Sequence, residues 1–134
     1  GEKDYQQLTV IKRMVDDLNM NVKIVVHPTV REEDGLAMSS RNKYLNSEQR
    51  KNALVLSKSL YKARELVKRG ENDPSKITQM AFDMISSTPG AVIDYVEIVH
   101  PDTLECIDHI QTKAIMALAV KIGNTRLIDN MELR

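Results

Sequence analysis

Apolar residues recur at helical spacing at Leu8, Ile11, Val15 and Leu18, which predicts a helix over about 4–18. Asp4 followed by Gln7 suits a capping box at its start. The β-branched run 22–26, bounded by Asn21 and His27-Pro28, predicts a short buried strand. No period runs through 27–42, a stretch holding Pro28, Asp34, Gly35, Ser39, Ser40 and Asn42, so a long loop is expected there. Asn46 with Gln49 three residues later then opens a helix whose apolar face is Leu56, Leu60, Ala63 and Val67, and Gly70 stops it. Asp73-Pro74 opens another, with Ile77, Met80, Ala81, Met84 and Ile85 facing inward and Thr88-Pro89-Gly90 closing it. Three strand-like stretches follow at 92–99, 113–122 and 125–128, the last two joined by Gly123-Asn124 as a two-residue hairpin turn.

The fold class this implies is α/β (α+β). A helix and strand that make half of an alternating α/β unit (the remnant of a Rossmann-like domain on the resemblance given below) occupy 1–45, and a small domain of two helices and a largely antiparallel sheet of about three strands occupies 46–134. The chain opens on Gly1-Glu2-Lys3-Asp4 with no initiating Met, which reads as an expression or cleavage boundary.

Composition narrows the function classes. At 134 residues, 42% hydrophobic and 28% charged, the chain can bury a core of ordinary size. Nineteen basic residues balance nineteen acidic ones, so no overall field draws it to nucleic acid or an anionic membrane. Aromatics are only 4%, which leaves little for base stacking. The longest apolar run, 114–120, is strand-sized rather than membrane-spanning. A lone Cys106 and no recognisable signal peptide suggest a reducing, cytoplasmic setting.

Two segments combine flexible backbone, hydroxyls and positive charge. At Gly1-Glu2-Lys3-Asp4-Tyr5-Gln6-Gln7 the expected helix N-terminus favours an anion and Lys3 adds a mobile charge. The plainer alternative is a capped helix with Lys3 solvated. At Asp34-Gly35-Leu36-Ala37-Met38-Ser39-Ser40-Arg41-Asn42, Gly35 lets the chain turn, the serines offer donors, and Arg41 can fork onto phosphate oxygens. The alternative there is a polar surface loop whose serines cap the next helix. His27, His100 and His109 have no partner at metal-ligand spacing, so no metal site is expected and a structural or solvated role suits them.

Both segments, in this order and separation, resemble the pantothenate synthetase (pantoate–β-alanine ligase) family, and Arg126-Leu127-Ile128-Asp129-Asn130 is similar to that family's ending. The resemblance runs over the whole chain. It implies an ATP-dependent ligase that activates pantoate as pantoyl-adenylate, releasing pyrophosphate, and then passes the acyl group to β-alanine with loss of AMP. It implies ATP contacts at Gly1, Glu2, Lys3, Asp4, Val30, Met38, Ser39, Ser40 and Arg41, and a pantoate contact at Gln7. Lys3, Ser39, Ser40 and Arg41 would act in catalysis by stabilising phosphate charge. The segment from Met38 to Arg41 looks like the mobile phosphate loop of nucleotidyltransferases that carry Lys-Met-Ser-Lys-Ser. ATP would arrive with Mg²⁺ held largely by phosphates and water.

The family's His-x-Gly-His motif and its second pantoate-binding glutamine belong to a Rossmann-like half that precedes this stretch, and neither occurs here. The chain by itself is therefore expected to be inactive, and the parent enzyme is expected to be a homodimer whose partners are ATP, pantoate and β-alanine. Two other readings remain: a non-catalytic nucleotide-binding or interaction module, and an accessory piece of an aminoacyl-tRNA synthetase. Neutral charge and few aromatics count against the second.

Overall fold

The computed structural model describes Lys3 and residues 29–134; the expected helix at 4–18, the strand at 22–26, and Gly1, Glu2, Asp4 and Gln7 lie outside the described residues. The loop from residue 29 is more ordered than its lack of period suggests. Arg31 and Ala37 form an isolated antiparallel bridge, with Glu32 N–H bonding the Leu36 carbonyl at 2.8 Å and Met38 N–H bonding the Val30 carbonyl at 2.9 Å. Gly35 turns this small hairpin with a φ of 100°, and its N–H bonds the Glu32 carbonyl. A 3₁₀ turn, Ser40–Tyr44, follows.

Asn46 Oδ1 accepts from the Gln49 N–H at 2.8 Å and Gln49 Oε1 accepts from the Asn46 N–H at 3.0 Å, so the expected capping box forms. It opens α1 (Ser47–Asn52), and α2 (Leu54–Lys68) follows after Ala53. The apolar spacing predicts one helix here; the structure breaks it at Ala53. Leu56 N–H bonds the Ala53 carbonyl three residues back, a tight turn that bends the chain without leaving helical conformation. A one-residue bend leaves no mark on a 3.6-residue period. Beyond Lys68, Gly70 N–H bonds the Val67 carbonyl and Glu71 N–H bonds the Leu66 carbonyl, the pair that defines a Schellman stop. The next helix, α3 (Pro74–Ser86), has Asp73 as its N-cap, accepting from Ser75 N–H at 3.0 Å, with Pro74 in the first turn.

The strands are β1 (Ala91–Val99), β2 (Ile115–Ile122) and β3 (Thr125–Glu132), antiparallel throughout in the order β1-β2-β3. α2 and α3 pack on each other and cover one face, α2 against β2 and β3 and α3 against β1. Leu56, Leu60 and Ala63 of α2 meet Ile77, Ala81 and Ile85 of α3 and Met116, Leu118, Val120, Leu127 and Met131 of the sheet in one core. Leu36 from the loop belongs to that core as well. The expected two helices and three-stranded sheet are present.

One boundary differs. The third strand runs four residues beyond 128, to Glu132, pairing Asp129 with Leu118 and Met131 with Met116. Asp129-Asn130 looks like a strand terminator by propensity, yet Met131 and Leu133 return to the core and hold the ladder in place. At the hairpin, Ile122 pairs Thr125 and Gly123 has a φ of 60°, the first-position glycine of a type II′ turn. A Cβ on Gly123 would also press into the Gln49 side-chain amide. Gly123→Ala is expected to lose about 1–2 kcal/mol from left-handed strain alone, read as a lower urea midpoint with an unchanged m-value. A midpoint equal to the parent's would mean that the turn is not specified this way.

Candidate functional site

A cleft of about 380 Å³ opens between the loop and the outer edge of β3, lined by Lys3, Leu36, Ala37, Ser39 to Asn42, Leu56 and Arg126 to Asp129. Alternation along β3 explains which residues face where. Thr125, Leu127, Asp129 and Met131 point to the helix side, so Arg126, Ile128 and Asn130 lie on the opposite face. With β3 at the sheet edge, the carbonyls of these even-numbered residues point outward. Arginines meet three of the outward carbonyls: Arg41 Nη1 donates to Arg126 O at 3.4 Å, Arg31 Nη2 to Asn130 O at 3.4 Å, and Arg64 Nε to Glu132 O at 3.1 Å. The exposed edge is thereby covered by cations rather than left as a template for another strand.

The firmest of these links is Arg31. Its Nη1 and Nη2 bind Asp129 Oδ2 and Oδ1 at 2.7 and 2.9 Å, a bidentate pair whose carboxylate is 1% exposed. Asn130 N–H adds a third bond to Asp129 Oδ1 at 2.8 Å, and Arg31 Nη1 also donates to the Gly35 carbonyl at 3.0 Å. Burial by itself lowers the Arg31 pKa. The hydrogen bond and charge of Asp129, with a smaller contribution from Tyr61, outweigh it, and the net direction is upward. This pair fastens the loop hairpin to β3. Nearby, the hydrogen bond from Arg50 to Asp34 at 3.0 Å holds the Asp34 carboxyl below the usual range, so this exposed link persists until the pH falls below that of an ordinary aspartate.

Of the residues singled out in the sequence, Lys3, Ser39, Ser40 and Arg41 meet at this cleft although 35 positions or more separate Lys3 from the rest. Lys3 Nζ donates to the Met38 carbonyl at 3.1 Å, and Asn130 Nδ2 donates to the Lys3 carbonyl at 2.6 Å. Ser39 Oγ accepts from the Arg41 N–H at 3.1 Å, so this serine does cap the 3₁₀ turn as the plainer reading has it, while still lining the cleft. Val30 and Met38 are exposed and do not line the cleft; they touch the site through backbone, Met38 N–H to Val30 O and Met38 O to Lys3. His100 Nδ1 accepts from the Asp102 N–H, a turn-capping use.

Sequence reasoning misses Arg31, Asn42 and Asp129 as site residues, and it leaves Arg126 and Asn130 without a role. Asn42 Nδ2 donates to the Ala37 carbonyl at 3.1 Å, while its buried Oδ1 has no partner among the described residues and can accept from a ligand N–H or O–H. Strand alternation through 125–131 is the available signal for Arg126, since it turns that side chain away from the core. The net result is local asymmetry in a neutral chain: Lys3 and Arg41 line the cleft, Arg126 stands at its mouth with its guanidinium on Asp94, and Asp129, the one acid among the described lining residues, is engaged by Arg31. Such a cleft suits a polyanion. It offers no carboxylate set for a metal among the described residues.

The fold matches that of solved ligases. The crystal structure of pantothenate synthetase from Thermus thermophilus aligns with a TM-score of 0.93 at 44% identity, covering 99% of this chain and 48% of that one. A pantoate–β-alanine ligase from Francisella tularensis, solved with β,γ-ATP and β-alanine, aligns with a TM-score of 0.61 at 32% identity, covering 99% and 42%. In sequence, the pantothenate synthetase of Acetivibrio thermocellus is 60% identical over 131 residues, 98% of this chain and 47% of that protein. The one from Pelotomaculum thermopropionicum is 61% identical over 130 residues, 97% and 46%. The model of the pantoate–β-alanine ligase family matches residues 1–132, and the chain belongs to that family. It spans about half the length of the curated relatives it matches.

Proposed function

We propose that this chain supplies the C-terminal half of an enzyme that joins pantoate to β-alanine at the expense of ATP. The pantoate carboxylate attacks the α-phosphorus, the bond to pyrophosphate breaks, and the acyl-adenylate forms. The β-alanine amine then attacks the acyl carbon, AMP leaves, and pantothenate remains. The observation that carries this reading is the convergence of Lys3 with Ser39, Ser40 and Arg41 on one cleft in a member of this family. Lys3 and Arg41 bond only backbone carbonyls among the described residues, so both can turn to phosphate oxygens at little cost. Ser39 and Ser40 supply donors, and together these groups offset the charge that grows on the departing pyrophosphate.

Gly1, Glu2, Asp4, Val30 and Met38 complete the ATP contacts in this proposal, and Gln7 holds pantoate. Mg²⁺ would enter on the phosphates rather than on protein carboxylates, because Asp129 is locked by Arg31. We further propose a division near residue 45, with 46–134 as a lid that brings the loop to the phosphates, cytoplasmic residence, and a homodimeric parent enzyme. The test is reconstitution. The chain alone, given ATP, pantoate and β-alanine, is expected to form no pantothenate. Joined to the N-terminal half of the Acetivibrio thermocellus relative, it is expected to form pantothenate and AMP in equal amounts. Product from the chain alone would sink the half-site reading, and a folded but inert fusion that binds no ATP would sink the ligase reading.

A further inference from the structure

The sheet face turned away from the helices carries Tyr95, Ala119, Arg126, Ile128 and Asn130, and Lys3 is bonded to it through Asn130. Arg126 stands on that face at the mouth of the cleft that holds Lys3, Ser39, Ser40 and Arg41. Its guanidinium leans the other way, toward β1. Nε and Nη2 each lie 2.9 Å from Asp94 Oδ2, and the group sits 6.0 Å from the centre of the Tyr95 ring. Both charged side chains are about half exposed, 47% for Arg126 and 55% for Asp94. A pair this wet is held by less than a factor of about five. By contrast the backbone of Arg126 is fixed: its strand pairs with Lys121 of β2, and its carbonyl receives Arg41.

We propose that Arg126 is a further phosphate-binding group of this cleft, parked on Asp94 in the absence of ligand and released by an arriving polyphosphate. A triphosphate brings more charge than one carboxylate and a geometry that the guanidinium fork matches with two bonds. The Arg41 contact adds a coupling. When Arg41 leaves the Arg126 carbonyl for a phosphate, the two guanidiniums no longer share that strand end, and both can close on the same ligand. Asp94 then sets the energy of the parked state and thus the effective affinity for phosphate. The proposal rests on the nucleotide reading above and is narrower than it.

Calorimetric titration of the full-length protein that contains this chain, with ATP, AMP and inorganic tripolyphosphate as separate probes, tests it. Arg126→Ala is expected to weaken ATP and tripolyphosphate by about tenfold, the scale of one charge-assisted contact, and to leave AMP within about twofold. Arg126→Lys should recover part of the loss. Asp94→Asn is expected to tighten tripolyphosphate by about two- to fivefold, since it removes the competing carboxylate; a structural role for the pair would not give a gain. Unchanged tripolyphosphate affinity in Arg126→Ala, with a loss in Arg41→Ala, would overturn this inference and leave the phosphate site standing. Equal losses for AMP and ATP would also overturn it. If Arg41→Ala and Lys3→Ala bind tripolyphosphate as the parent does, the reading of the cleft itself falls.

Discussion

Arg31→Ala is expected to destabilise the fold by about 3–5 kcal/mol, the cost of stranding one member of a buried ion pair. Asp129, 1% exposed with Arg31 in place, would retain the local bond from the Asn130 N–H but lose both guanidinium bonds. Typical domains have only about 5–15 kcal/mol in hand, so the urea midpoint should fall by a large fraction. The loss should also be local, because Arg31 holds the loop hairpin through the Gly35 carbonyl and β3 through the Asn130 carbonyl. Amides of 31–38 are expected to exchange faster than those of α3, which packs on β1 at the far side of the sheet. An apolar replacement of both partners, Arg31→Met with Asp129→Leu, should regain much of the stability, since neither leaves a lone charge. A loss below about 1 kcal/mol in Arg31→Ala would show that the pair is far more solvated than its geometry implies.

That same pair marks where the sequence stops being readable. The capping box at Asn46 and Gln49 and the Asp73-Pro74 start obey rules that act within four residues, and both form as the residues predict. The sequence pattern cuts β3 short because Asp129-Asn130 breaks an apolar alternation, and the partner that makes Asp129 tolerable is 98 residues away. No local rule reaches that far. The cleft divides in the same way. Ser39, Ser40 and Arg41 are conspicuous as a cluster in the sequence, but Lys3 joins them through tertiary contacts, among the described residues at Met38 and Asn130. Net charge misleads for a related reason. A sum of zero says nothing about Asp129 being masked by Arg31 while Lys3 and Arg41 line one space and Arg126 stands at its mouth.

If the proposed ligase reading holds, Arg41→Ala in the reconstituted enzyme is expected to slow adenylation by about 100- to 1000-fold, the usual effect of removing one preorganised donor from developing charge. Lys3→Ala should fall in the same range. Pyrophosphate release from ATP and pantoate measures this half-reaction directly. Arg41 sits on a 3₁₀ turn capped by Ser39, and among the described residues its side chain makes one long bond, 3.4 Å, to a backbone carbonyl, so its loss should leave folding nearly untouched. Supplied pantoyl-adenylate separates the two steps. The amine attack expels AMP and creates no new charge on a triphosphate, so the rate from that intermediate should change by less than the adenylation rate in both variants. The double variant should lose less than the product of the two single losses, because both cations answer the same departing charge and the second has less left to stabilise. An Arg41→Ala enzyme within about threefold of the parent in pyrophosphate release would remove the 39–41 turn from the chemistry. The serines would then be caps of a surface turn, and the cations a coat for the β3 edge.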